Sequence, residues 1–260
     1  MPTHLRAYHR PSNLAETLAL IQPRAEVVAV AQLGPRVPVG LYPRAEALVD
    51  LRALGLDRLA ETETELHLGA QATLQALIDF PPLRALAGGL LPRAARLAAH
   101  PGLRNLATLA GALASPDGPP EVRLALLALG ASVVVQGAER RRVPLADCRP
   151  APGELWLELI VPKTPPPRGG LSRVARTPQD QAIVAAVAAA AGDTLRVAVA
   201  GASPEPLLMT VAGPLDEARL EATARALMAA AQPGDDYRAS ADYRRAMTGV
   251  LARRAMEAVR

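Results

Sequence analysis

The chain has 260 residues, half of them hydrophobic, and a formal net charge of +4. That length suits one large domain or two modest ones. The basic charge is spread out: Arg140 to Arg142 is the only run of three, and no basic tail or aromatic interleaving accompanies it, which excludes the usual signs of a nucleic-acid binder.

One Phe, one Trp and four Tyr leave Ala, Leu and Val to fill the core. All the basic residues are Arg except Lys163. Cys148 is alone, so the chain holds no internal disulfide and no iron–sulfur cluster of its own. His4, His9, His67 and His100 are scattered, with no pair or carboxylate at metal-ligand spacing. No apolar run reaches the roughly 18 residues of a membrane helix. The opening "MPTHLRAYHRPSN" lacks the apolar stretch of a secretory signal, so a cytoplasmic protein without membrane insertion is expected.

The first element is "RPSNLAETLALI", where Ser12 is the expected N-cap and Leu14, Leu18 and Ile21 form one helical face. "AEVVAVA" (25–31) and "ALVDL" (47–51) read as short buried strands of a small α/β unit. "DRLAETETELHLGAQAT" reads as a hairpin. Helical stretches follow over 74–86, with a Pro-Pro break, and over 91–100. "RNLATLAGALASPDG" (104–118) then reads as a strand-to-loop turn of the phosphate-holding kind, with Thr108 and Gly111 at its centre. "PEVRLALLALG" is a helix begun by Pro120 and stopped by Gly130.

"ASVVVQG" and "RRRVPL" form an expected hairpin pair. "ELWLELIVP" alternates, placing Leu155, Leu157, Leu159 and Val161 on one face of a half-buried strand. "PKTPPPRGG" is the clearest linker. After it, "DQAIVAAVAAAAG" is ambiguous between helix and strand, but the Gly192–Asp193 turn and the alternation of Leu195, Val197 and Val199 favour a hairpin. Two helices close the chain, over 216–231 and from Ser240 onward. The second carries Tyr243, Met247, Val250, Leu251 and Val259 on one expected side.

In this order the pieces resemble a known family, the medium, flavin-binding subunits of the molybdenum hydroxylases, of the carbon monoxide dehydrogenase and xanthine dehydrogenase type. The resemblance is carried by "RPSNLAETLALI", "EALVDLRALGLDRL", "RNLATLAGALASPDGPPEVRLALLALGASVVV", "APGELWLELIVP" and "DYRASADYRRAMTGVLARRAMEAV". It implies an α+β fold: a two-subdomain FAD-binding domain over 1–162 (subdomains about 1–53 and 54–162), a Pro-rich linker over 163–170, and a smaller C-terminal α+β domain over 171–260. It implies FAD as cofactor. It also implies an iron–sulfur small subunit and a molybdenum large subunit as partners, which carry the clusters and the molybdenum cofactor. No catalytic residues of the chain's own are expected; FAD would pass electrons from the clusters to an external acceptor.

The resemblance also locates two phosphate loops, in which glycines let backbone N–H groups approach the FAD pyrophosphate. The first, roughly Ala-Gly-Gly-Gln-Ser/Thr in the family, is "AVAQL" here. Val30 and Ala31 stand at the glycines, Gln32 is kept, and Leu33 replaces the hydroxyl. A β-branched Val resists positive φ. The second, roughly Thr-Ile-Gly-Gly-Asn, is Thr108, Leu109, Ala110, Gly111, Ala112. Asp117 and Glu121 match acidic positions near the ribityl and adenosine part, or serve as plain helix N-terminal charge. Arg173 stands where the family often has a Lys near the isoalloxazine ring, or is a solvated Arg, and Asp180 lies in the same region.

Each lost glycine costs about 1–3 kcal/mol where a special φ/ψ is needed. Several losses together approach a tight cofactor's binding energy, on the order of 10 kcal/mol. The sequence therefore leads to a medium-subunit homologue with weakened or lost FAD binding and a structural docking role. The alternative is an active FAD subunit whose altered loops bind through other N–H groups.

Overall fold

The computed structural model describes residues 6–21, the strand 27–30, and 47–115, 118–149, 151–178 and 180–260. A small parallel sheet comes first, in the order β1 (Ala7–His9), β3 (Ala47–Asp50), β2 (Val27–Val30). Helix α1 (Leu14–Leu20) follows β1. Its N-cap is Asn13, not the expected Ser12: Asn13 Oδ1 accepts from the Glu16 amide at 2.9 Å, and Glu16 Oε2 accepts from the Ser12 amide at 3.1 Å. Ser12 thus contributes its backbone to a capping box one residue later than its hydroxyl suggests. Asp50, buried at the end of β3, accepts from Tyr8 of β1 and from the Arg52 side chain.

The next unit is a five-stranded antiparallel sheet with helices on one face. Its chain order is β4 (Leu59–Glu61), β5 (Glu65–Gly69), α2 (Leu74–Asp79), α3 (Pro81–Ala85), α4 (Leu90–Ala98), α5 (Pro101–Arg104), α6 (Leu109–Ala114), α7 (Pro120–Ala128), β6 (Ser132–Gln136), β7 (Arg140–Pro144) and β8 (Leu155–Pro162). The strands lie β4-β5-β8-β6-β7. The break between α2 and α3 falls at the Pro-Pro pair, where a helix must restart.

Strand β8 corrects the expected alternation. Val135 pairs with Trp156 and Val134 with Glu158, so Leu157 is left as a bulge. The bulge turns Leu155 and Leu157 toward Ile21, Val49 and Leu51 of the first subdomain, while Leu159 and Val161 join the core under the helices. One strand therefore serves two cores, and its leucines do not share one face.

The last unit is an antiparallel sheet, β12-β11-β10-β9, formed by β9 (Arg168–Val174), β10 (Val184–Ala191), β11 (Thr194–Ala200) and β12 (Leu207–Ala212) and followed by α8 (Glu217–Ala230) and α9 (Ala241–Glu257). The Ala-rich stretch is a strand, turning at Gly192 as expected. Both its faces are buried. Ala185, Val187 and Ala189 pack into the core that contains α7, while Ala186, Ala188 and Ala190 pack into the core with α8 and α9.

The expected linker is shorter than its sequence suggests, because Arg168 to Gly170 already belong to β9. A Cβ on Gly169 would lie 2.6 Å from the Ala87 carbonyl, and one on Gly170 would lie 2.1 Å from the Ala255 carbonyl. The two glycines let this strand press against both neighbours, a packing role rather than a flexible one. Helix α9 corrects a second expectation. Its buried face runs through Arg244, Thr248, Leu251, Ala255 and Met256, whereas Tyr243 and Val250 are exposed. Arg244 enters the core because its guanidinium donates to the Ile183 carbonyl and to Asp236. None of the described helices is long and apolar enough to cross a membrane.

Candidate functional site

The second expected phosphate loop is not an open turn but the start of α6. Thr108 is its N-cap, in extended backbone geometry. It lies beside Thr73, the N-cap of α2, in an antiparallel bridge. The Leu74 amide donates to the Ala107 carbonyl at 2.9 Å, so the two helix starts are fastened back to back.

The amides at a helix start are its orphan donors, and they decide whether an anion can sit there. At α6 three of them are taken. Leu109 N–H donates to the Ala72 carbonyl at 2.8 Å and Ala110 N–H to the Ala70 carbonyl at 2.9 Å. Gly111 N–H donates to Thr108 Oγ1 at 3.1 Å, and Ala112 N–H makes the first ordinary helical bond, to the Thr108 carbonyl at 2.9 Å. Ala110 and Ala112 are each only 9 % exposed. The buried side-chain atoms without a hydrogen bond include Gln71 Oε1 and Glu121 Oε1, both acceptors, and Arg123 Nε, a donor two residues past Glu121. A phosphate at this helix start would thus meet the Leu109, Ala110 and Gly111 amides already bonded within the chain. Of the first loop, Val30 ends β2 opposite Asp50; Ala31, Gln32 and Leu33, like Asp117, lie outside the described residues.

Glu121 and Arg173 are brought together. Glu121 opens α7 and is 2 % exposed; Arg173 extends from β9 with an 11 % exposed side chain. Arg173 Nε stands 2.9 Å from Glu121 Oε1, an ion-pair distance without hydrogen-bond alignment. The rest of the guanidinium donates to the Pro178 carbonyl at 2.9 Å and to the Asp180 carbonyl. Burial pushes the Glu121 carboxyl above its ordinary range, and the Arg173 charge opposes that rise. Arg173 is thus largely buried, with two of its N–H groups donating to protein carbonyls. Asp180 contributes its backbone carbonyl here.

Sequence reasoning missed this pairing. The available signal was the near-continuous apolar run after Glu121. Seven of the nine residues of α7 are buried, so an acid at its start has no solvated side to face and needs a buried partner.

A cavity of about 530 Å³ lies between the start of α7 and the C-terminal unit. Its charged lining is Arg123, Arg238 and Arg244 against Glu205, Asp235 and Asp236, so it has no excess of positive charge to draw in an anion. No cluster of metal-ligating groups occurs among the described residues. His67 instead sits 3.0 Å from Glu158 across neighbouring strands.

Residues 3–163 match the family described as "FAD binding domain in molybdopterin dehydrogenase", and residues 171–259 match "CO dehydrogenase flavoprotein C-terminal domain". The carbon monoxide dehydrogenase medium chain of Afipia carboxidovorans is 29 % identical over 96 % of this chain and 95 % of its own length. The nicotine 6-hydroxylase medium subunit of Paenarthrobacter nicotinovorans is 31 % identical over 54 % of this chain and 50 % of its own length. A solved structure, the reconstituted CO dehydrogenase from Oligotropha carboxidovorans, superposes with a TM-score of 0.88 at 26 % identity, covering 100 % of this chain and 98 % of that one. The chain belongs to the medium, FAD-binding-type subunits of the molybdenum hydroxylases.

Proposed function

We propose that this chain is a docking subunit of a molybdenum-hydroxylase complex. It holds an iron–sulfur small subunit and a molybdenum large subunit and binds FAD weakly or not at all. One observation carries the reading: the Leu109, Ala110 and Gly111 amides at the start of α6 are consumed within the chain. A phosphate arriving there must displace an intramolecular bond for each one it forms, so the net gain is close to nothing. The Arg173 side chain, already bound to Glu121 and two carbonyls, supports the same reading. The second reading is an active FAD subunit passing electrons from the clusters to an acceptor. Thr108 and Gly111, retained at their positions in the loop, favour it.

The test is acid release and quantification of flavin per copy of this subunit in the purified complex. Flavin far below one per copy, in a complex that still oxidises its substrate, is the expected result. Near one per copy would establish the second reading.

A further inference from the structure

We propose that Glu121 and Arg173 form a bolt that fixes the FAD-binding-type domain and the C-terminal domain as one rigid block. The bolt does not depend on whether flavin is bound.

The two residues come from opposite sides of the domain junction: Glu121 from α7, Arg173 from β9. Around them much of the contact is apolar. Leu124, Leu126 and Ala128 of α7 share one core with Ala185, Val187 and Ala198 of the β10–β11 hairpin. The sheet side of this interface is a run of alanines with one valine, which has little to fix its register, since one alanine substitutes for the next when the helix slides. A buried charge pair does fix it. Any slide that parts the two groups leaves a charge in an apolar interior, which is expensive. Arg173 cannot follow Glu121, because the Pro178 and Asp180 carbonyls hold its other nitrogens. The pair is thus a positional device more than a source of net stability, since buried pairs cost much of what they gain in desolvation.

The sequence supplies its own test. Lys163 is the only lysine, and it lies directly after β8 in the segment that joins the domains. An endoproteinase that cuts after lysine therefore has one site in the full-length chain, between the domains, where Lys163 must first leave Glu61 and the Thr62 carbonyl. The dissociation constant of the two halves is then read by dilution and gel filtration. For Glu121→Leu and Arg173→Leu, each leaving one buried charge unpaired, the halves are expected to associate two to three orders of magnitude more weakly. In the double variant Glu121→Leu/Arg173→Leu most of that loss should return, to within about tenfold of the parent, because an apolar pair replaces the ionic one.

Single variants within about threefold of the parent, or losses that simply add in the double variant, would overturn the proposal. Where the leucine singles do not fold, Glu121→Gln and Arg173→Gln are read the same way. If the nick is slow, urea unfolding of the intact single and double variants separates the same two outcomes: non-additive midpoints support the bolt, and additive ones overturn it. Flavin content enters none of these readouts, so the bolt can fail while the docking reading stands, and the reverse.

Discussion

Helices α6 and α7 open within a dozen residues of each other, and they close their starts in opposite ways. At α6 the solution is neutral: a Thr hydroxyl and two carbonyls take three amides. At α7 no side chain caps the helix; Pro119 and Pro120 lead in, and a carboxylate is carried in the first turn itself, where it meets Arg173. The first arrangement has no charge to offer or to miss. The second brings its own anion and its own cation. A helix start is a ready anion site only while its donors are unspent, and at α6 those of Leu109, Ala110 and Gly111 are spent. The difference lies in what disruption would cost: a lost cap costs one hydrogen bond, a lost ion-pair partner strands a charge.

That difference sets the largest expected effect. Arg173→Ala leaves Glu121 buried and unpaired and should destabilise the chain by about 3–5 kcal/mol in urea unfolding at neutral pH. The effect should shrink in acid. Burial already pushes the Glu121 carboxyl up. A group whose folded pKa is raised contributes most below its unfolded pKa and loses that contribution as pH rises through the folded one. As pH falls, the stranded carboxyl of the variant takes up a proton and the penalty is relieved. An Arg173→Ala deficit that stays constant from pH 8 to pH 5 would mean that Glu121 is not the group left behind.

The α6 side predicts smaller changes. Thr108→Val keeps the shape and removes the acceptor of the Gly111 amide, so it should cost about 1–2 kcal/mol. Flavin content of the complex should not change with it. A drop in flavin would show that the loop still works as a cradle. Asp50→Asn, at the end of the parallel sheet, should cost about 2 kcal/mol, since it weakens charge-assisted bonds from Arg52. Arg52, ahead of Tyr8, holds the Asp50 carboxyl far below its ordinary value of 3.8. A group with a depressed folded pKa contributes fully above its unfolded value and loses that contribution as pH falls toward the folded one. The parent should therefore lose stability below about pH 4, and the Asn variant should lose less of it; parallel acid unfolding curves would rule out this role.

Much of the architecture was legible because it rested on local signals. Pro120 and Gly130 bracketed α7, the Gly192–Asp193 turn exposed the β10–β11 hairpin, and the Pro-Pro pair broke α2 from α3. The misreadings share a cause, which is that tertiary partners are invisible to periodicity. The bulge at Leu157 divides a strictly alternating strand between two cores. Arg244, polar by type, is buried because Ile183 and Asp236 receive it. Gly169 and Gly170 look like linker and are packing contacts. At the candidate site the residue types in "TLAGA" suggested a phosphate loop, but the Ala70 and Ala72 carbonyls that consume its amides come from a turn nearly forty residues earlier. Glu121 and Arg173, separated by half a hundred residues, gave no local hint of each other.

The smallest effect belongs to an exposed pair of the same chemical types as the bolt. On α8, Arg225 Nε lies 3.4 Å from Glu221 Oε1, one helical turn away, with side chains 68 % and 44 % exposed. The Coulomb gain is damped by water, and ordering two long side chains offsets much of the remainder, so such i,i+4 pairs contribute about 0.3–0.5 kcal/mol. Glu221 also has a second partner, Arg253 Nη1 at 2.7 Å, so removing Arg225 leaves no carboxylate stranded. Arg225→Ala should therefore shift the urea midpoint by no more than this, and the shift should fade in high salt as screening reaches the surface. Arg173→Ala should keep most of its deficit in the same salt, because ions do not enter the α7–β9 junction. A salt response equal in the two variants would place the Glu121–Arg173 pair in contact with solvent and remove the physical basis for treating it differently from any surface pair.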